Sequence, residues 1–265
     1  MRVGIACFLS FFLFSFPFVF ASEKTIDHSK WDSLLKAYVR PDGLVNYQGL
    51  LQMKAEIDDY VKQLEMISPQ QLGESSREER LAFWINLYNA SVVQMVLTEY
   101  PIERFSQIPA VFEVRKIQAA NEFFSLSELR DNVLRQGFRD ERVLTALVSA
   151  RMDSPKLLPE AFDGVQIDEQ LNRAAAEFVK DETRNQIRPG TKKIFLSPLF
   201  KNFASDFMLN FSSEKPSPGF SESEAAVISF VLYHLHDPDK RLFLSSGRYK
   251  INYLPEDSRL NDAGT

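Results

Sequence analysis

The 265-residue chain is 45% apolar and 25% charged, a globular balance that excludes a disordered, collagenous or multi-span membrane protein. Its 31 Lys and Arg against 36 Asp and Glu give a formal charge of -5, and no basic run exceeds Lys192-Lys193, which argues against nucleic acid as a partner. A single cysteine and three histidines leave few groups for nucleophilic, metal or redox chemistry.

Met1 to Ala21 reads as a secretory signal peptide: Arg2 gives a positive start, an apolar run follows from Val3 to Phe20, and Ala21 offers a cleavage position. Seven of the 23 Phe fall in the first twenty residues, so that part of the aromatic excess reports on targeting. A retained anchor is the competing reading, since an apolar run of about 18 residues just spans a bilayer. Gly4, where a bulky aliphatic is usual, speaks against lipidation at Cys7. Cleavage after Ala21 removes Cys7 and leaves a chain without disulfide, thiolate nucleophile or zinc-thiolate site. The expected location is periplasmic or secreted, with membrane contact only through the signal segment before cleavage.

In chain order, Ser29 to Tyr38 places Trp31, Leu34, Leu35 and Tyr38 on one helical face, and Pro41-Asp42-Gly43 marks a turn. A second helix is predicted over 48–66. The strongest helical signal covers 77–99: Ser76 and Glu79 form a capping-box pair, Pro101 closes the run, and the helix is apolar nearly all round, as a central buried helix is. Two short strands are expected over 111–117 and 123–126, then a helix capped by Ser125 and Glu128 that runs to Arg135. The nearly continuous apolar run Val143 to Val148 reads as a buried strand. There follow a helix over 168–180, a strand over 192–196, a helix from Ser197-Pro198 through Phe207, a helix capped by Ser221 and Glu224 running to His236, and a last strand over 249–254. The class is α+β: one helix-dominated domain over 22–265 around a central buried helix, with a small, mainly antiparallel sheet.

Within the central helix, FWINLYNA (Phe83 to Ala90) sets Asn86 and Asn89 three residues apart on one face of an otherwise apolar surface. Buried amides need partners. They either bond to loop backbone and fix the packing, or line a pocket. With this motif stand His28, DGLVNY (Asp42 to Tyr47), Tyr100-Pro101, the segment Ser125 to Leu129, LSPLFKNFASDF (Leu196 to Phe207) and INYLPEDSRLN (Ile251 to Asn261). Taken in this order they resemble the domain-of-unknown-function 547 family of exported bacterial and plant proteins. The resemblance runs from about Asp27 to Asn261 and implies a fold grouping more directly than an activity.

The departures from the family pattern are informative. The resemblance implies a histidine in the strand after the hairpin helix, then a cysteine and a Cys-Pro; here Leu144, Ser149 and Ser154-Pro155 occupy those places. Arg130-Asp131 stands where a Glu-His pair is usual, and of the aromatic tail motif only Asp257 and Asn261 remain. If the pattern supports thiol chemistry with a histidine partner, this chain has lost nucleophile and partners together.

Other constellations are weaker. No G-x-S-x-G elbow occurs, so a serine hydrolase rests on Ser149 after the buried run, with His28 brought near in space. His234 and His236, two apart on a predicted helix, do not share a face and suit a helix C-terminus better than a metal; no metal site is expected. Asp153, Asp206 and Asp257 fall in motif regions, where capping is the commoner task. No phosphate-cradling Gly-rich loop appears among the 10 Gly, so no nucleotide cofactor is expected.

The resulting expectation is a binding or accessory module for an unknown small molecule or envelope protein. Asn86, Asn89, Arg151, Asp153, Asp257 and Asn261 are its pocket candidates. The alternative is a hydrolase or transferase in which Ser149 or Ser154 acts with a distant residue such as His28.

Overall fold

In the computed structural model, which describes residues 25–113, 117–212 and 219–264, the chain opens with α1 (Ser29–Tyr38). The signal segment read over 1–21, including Cys7, lies outside the described residues. Trp31, Leu34 and Leu35 of α1 are buried, and Val39 pairs with Val45 across the turn that holds Gly43 at φ +84°, a conformation costly for any residue with a Cβ. The helix expected over 48–66 is two helices, α2 (Tyr47–Leu51) and α3 (Lys54–Glu65). Asn46 caps α2 by accepting the Gly49 N–H, and Met53 leaves helical geometry at φ -107°, ψ 19°. α4 (Pro69–Glu74) follows, with Ser68 and Gln71 forming a capping box.

α5 (Arg77–Glu99) begins where Ser76 accepts the Glu79 N–H, and ends at extended Tyr100 before Pro101. It is long and apolar enough to cross a membrane, yet 89% of its most apolar stretch is buried inside the protein. Its Leu, Ile and Val side chains pack on every side, each worth roughly 1.5–3 kcal/mol on burial. A first apolar cluster gathers α1 to α5 and the following hairpin around it.

The hairpin is shorter than the sequence suggests: β1 (Ile117–Ala119) pairs antiparallel with β2 (Glu122–Phe124), and 111–113 are turns. Ala120 and Asn121, both at positive φ, complete a two-residue turn that sets the register. α6 (Leu126–Glu128) carries the expected Ser125 and Glu128 capping box, then widens into a π-helix, Leu129–Gln136. Such wide turns are rare and concentrate at functional sites.

The run read as a buried strand, 143–148, is not one. Glu141–Thr145 form a 3-10 helix whose start is capped by Asp140, followed by a turn into irregular chain. The residues are buried as expected, but against α5, α7 and the second cluster rather than in a sheet.

α7 (Ile167–Lys180) leads to β3 (Lys193–Leu196), α8 (Pro198–Asn202), a 3-10 turn (Ala204–Phe207), α9 (Met208–Phe211), α10 (Glu222–His234), α11 (Pro238–Ser245) and β4 (Lys250–Tyr253). β3 and β4 pair parallel, Ile194 opposite Ile251. The class is helix-dominated α+β as expected, and among the described residues the strands form one antiparallel and one parallel two-stranded ribbon. A second apolar cluster forms around α10, where Phe178, Phe200, Phe207 and Phe230 meet ring on ring. The phenylalanines after position 20 therefore build this second cluster more than the first.

Candidate functional site

Asn86 and Asn89 each use both ends of the amide on loop backbone. Asn86 donates to the Phe162 carbonyl at 2.7 Å and accepts the Phe162 N–H at 3.0 Å. Asn89 donates to the Ala146 carbonyl at 3.0 Å and accepts the Val148 N–H at 3.1 Å. The backbone groups that a neighbouring strand would have paired are taken by a side chain of α5, which explains why 143–148 needs no sheet. Both residues are scaffold clamps, one shell removed from the pocket they were expected to line.

Asn89 fixes the start of a loop, 146–155, that forms one wall of a pocket. Arg184 holds the same loop from behind, donating to the carbonyls of Met152 and Ser154 at 2.9 and 2.7 Å. The C-terminal segment pairs with it through Met152 N–H to Arg259 and Asn261 N–H to Ala150. Directly after Ser149, Ala150 is held at φ +54°, a left-handed conformation that costs an alanine about 1–2 kcal/mol.

The pocket has a volume near 250 Å³ and lies among this loop, α5, the π-helix and α8. Apolar walls come from Phe112, Leu144, Leu147, Val148, Leu199 and Phe203; polar groups come from Tyr88, Arg130, Ser149, Arg151, Asp153 and Ser154. Four of the sequence candidates, Ser149, Arg151, Asp153 and Ser154, thus meet in one place. Ser197 joins them at the start of α8, its N–H held by the buried amide of Asn185.

Two fixed guanidinium groups define the pocket's electrostatics. Arg130 binds Asp131 through Nε and Nη2, both at 2.8 Å, and lies over the rings of Phe112 and Phe203. Asp131 also accepts Arg135, which in turn grips Asp206 through two bonds of 2.6 Å. Burial would raise the Asp131 carboxyl, but Arg130 and Arg135 outweigh it and hold the pKa below the usual range. Arg151 binds both oxygens of Asp153 at 2.8 and 2.7 Å and reaches Glu256 at 2.8 Å. Burial works against the Arg151 charge, and the bonds to Asp153 and Glu256 overcome it, so its pKa is raised. Burial pushes the Tyr88 hydroxyl up to about 12, keeping it a protonated donor.

A second cavity, near 420 Å³, shares Asp153, Ser197 and Pro198 with the first. Asp257 and Asn261 lie there rather than in the first pocket. Asp257 pairs with Arg259 and gives its N–H to Asp153. Asn261 accepts the Tyr47 hydroxyl at 2.8 Å and donates to the Gly43 carbonyl at 3.2 Å, so it ties the C-terminal segment down. The same cavity carries Asp181, 7% exposed, against Lys156 and Arg184. Burial opposes ionisation of Asp181; bonds from Thr183, Lys156 and Arg184 win and take its pKa to about 2.

None of the three histidines lines either cavity. His28 is buried with Nδ1 on the Tyr60 hydroxyl at 2.7 Å and Nε2 unpartnered, and burial lowers its pKa to about 4. His234 stands in the last turn of α10, as expected, but it is neutral: burial first, then Arg142 and His236, lower it to about 4, overriding the helix dipole. His236 lies beyond the helix and is exposed. Among the described residues no group of three or more His, Cys, Asp or Glu could hold a metal ion. Ser154 donates to the carbonyls of Arg151 and Pro155, while Ser149 has no hydrogen-bonded base among the described residues. Among the described residues no proton acceptor is bonded to either serine, and the fixed groups of the pocket include hydrogen-bond donors and apolar walls.

Sequence reasoning missed Tyr88 and Glu256, and it met Arg130 only as a departure from a pattern. Tyr88 lies inside FWINLYNA itself, and its hydroxyl in an apolar stretch was the available signal. No curated protein and no solved structure matches the chain. Residues 72–179, from the end of α4 through α7, match the family model described as Protein of unknown function, DUF547, so this stretch of the chain is similar to that family.

Proposed function

We propose that the chain is an exported binding module whose pocket beside Ser149 holds a small molecule without turning it over. One observation carries the reading: the arginines of the pocket are held in ion pairs, and among the described residues neither serine has a hydrogen-bonded base. Ser149 faces the pocket with no histidine or carboxylate bonded to it, and the acid nearest in sequence, Asp153, is engaged by Arg151. A serine hydroxyl near neutral pH needs such a base to act as a nucleophile. Export is supported by the leader pattern of Met1 to Ala21.

The test is labelling with a fluorophosphonate, which reacts with activated serines. The expected result is no labelling of the folded protein at Ser149 or Ser154. Labelling that disappears in Ser149→Ala, with unfolding unchanged, replaces the binding reading by the hydrolase or transferase. Amino-terminal sequencing of protein recovered after expression with its leader tests export: a start at Ser22 is expected, and an intact Met1 in an integral membrane fraction overturns it.

A further inference from the structure

We infer that the pocket beside Ser149 selects a small carboxylate with an apolar body; this rests on, and deepens, the binding reading above. The hydrogen-bond inventory of the pocket carries it. Its carboxylates are largely engaged: both oxygens of Asp153 take Arg151, with the Asp257 N–H added at 2.7 Å, and one oxygen of Glu256, on the exposed side, takes Arg151, while Asp131 behind the pocket holds Arg130 through both oxygens. Its donors are left over. Nη1 of Arg130, Nη1 of Arg151 and the hydroxyls of Tyr88 and Ser149 have no hydrogen bond among the described residues, and all four side chains line the pocket. Unused donors beside largely engaged carboxylates complement a ligand rich in acceptor oxygens.

Three further features narrow the class. Each guanidinium has an acid partner, Arg151 having two, so no net positive charge is left over and the two charges of a phosphate monoester are disfavoured more than the single charge of a carboxylate. Both guanidinium planes are held by bidentate pairs, and Arg130 is braced with Phe203 at 5.4 Å and Phe112 at 6.0 Å from ring centroid to Cζ. Donors fixed before the ligand arrives lose little freedom on binding and favour the planar, two-oxygen geometry of a carboxylate. The other wall, with Leu144, Leu147 and Leu199, offers only apolar surface to the rest of the ligand. A volume near 250 Å³ lies below the roughly 300–1,000 Å³ typical of drug-sized ligands, which makes the guest small.

The experiment compares hexanoate and benzoate with hexanamide and benzamide on the full protein, by saturation-transfer NMR and calorimetric titration, with hexyl phosphate as a third arm. Each carboxylate should bind about tenfold more tightly than its amide, the factor expected for one charge-assisted hydrogen bond. Arg130→Gln should remove that preference, and Tyr88→Phe, which leaves every ion pair in place, should reduce it. Amides that bind as well as acids overturn the carboxylate inference and leave the binding reading standing. Hexyl phosphate binding more tightly than hexanoate overturns the choice of carboxylate. No binding by any probe at millimolar concentration overturns both.

Discussion

Asn89 on the central helix accepts the backbone N–H of Val148 at 3.1 Å, and with its donor end on Ala146 it fastens the pocket loop to the core. The residue that looks most like a ligand contact is therefore the reason the contacts are where they are. Replacing it with alanine leaves a buried carbonyl and a buried N–H without partners, each costing about 1–3 kcal/mol. Asn89→Ala should lower unfolding stability by about 3 kcal/mol in urea titration. Asn86→Ala, which frees both backbone groups of Phe162, should cost a similar amount. A loss below about 1 kcal/mol in both variants contradicts the clamp role.

The two buried histidines make stability pH-dependent above the acid range. His28 and His234 have folded pKa values lowered to about 4 from an unfolded value near 6.5, so the unfolded chain binds more protons between these limits. Their contribution is fully present above about pH 6.5 and is lost as pH falls toward 4. By pH 5 the loss amounts to about 2 kcal/mol for each residue. Burial dominates at both sites; Asp163 and Asp27 oppose the shift at His28, whereas Arg142 and His236 add to it at His234. Urea midpoints measured from pH 7 to pH 5 should fall in the native protein. His28→Gln and His234→Gln should each remove about half of that fall. A midpoint flat over this interval contradicts the neutral, buried state of both rings.

The elements that could be read from the sequence are those governed by local chemistry. The Ser76, Ser125 and Ser221 caps stand where a serine precedes an acid by three residues, and α5 is buried because its apolar residues leave no polar face. The run 143–148 could not be read in the same way. A continuous apolar stretch reports burial but not which partner satisfies its backbone, and here that partner is an asparagine more than fifty residues earlier. Parallel pairing of β3 with β4 likewise depends on where α8 to α11 carry the chain between them, which no local pattern states. In the pocket, Ser149, Arg151, Asp153 and Ser154 were legible because they share one loop. Tyr88 and Arg130 reach it from two other elements, and only the fold brings them there.

Asp181 behind the second cavity gives the opposite pH signature to a raised carboxyl. Its folded pKa of about 2 lies below the unfolded value near 3.9, so its stabilisation is present above about pH 4 and is lost as pH falls through 2. The shift corresponds to about 2 kcal/mol. Asp181→Asn removes this term and leaves Lys156 and Arg184 without their acid, Arg184 being only 10% exposed. The variant should be less stable than the native protein by about 3 kcal/mol at pH 7. That gap should narrow between pH 4 and pH 2 as the native carboxylate protonates. A gap independent of pH over this range rules out an ionised Asp181 as its source.

The β1–β2 hairpin offers a prediction in the stabilising direction. Ala120 and Asn121 occupy φ +51° and +63°, the two left-handed positions of a type I′ turn. Asparagine tolerates this region because its side chain bonds locally, whereas alanine incurs about 1–2 kcal/mol there. Ala120→Asn keeps the Cβ that packs against the first cluster while easing the backbone, so it should stabilise the protein by about 0.5–1 kcal/mol. Ala120→Val puts a β-branched residue into the same conformation and should destabilise it by more than the asparagine gains. For a chain of this size the expected shifts in thermal midpoint are about 2 °C upward for asparagine and several degrees downward for valine. The two variants differ at one half-buried turn residue remote from the clamps and ion pairs. Equal midpoints would mean that the turn does not impose a left-handed backbone at position 120, and the register of Ile117 opposite Phe124 would then need another cause.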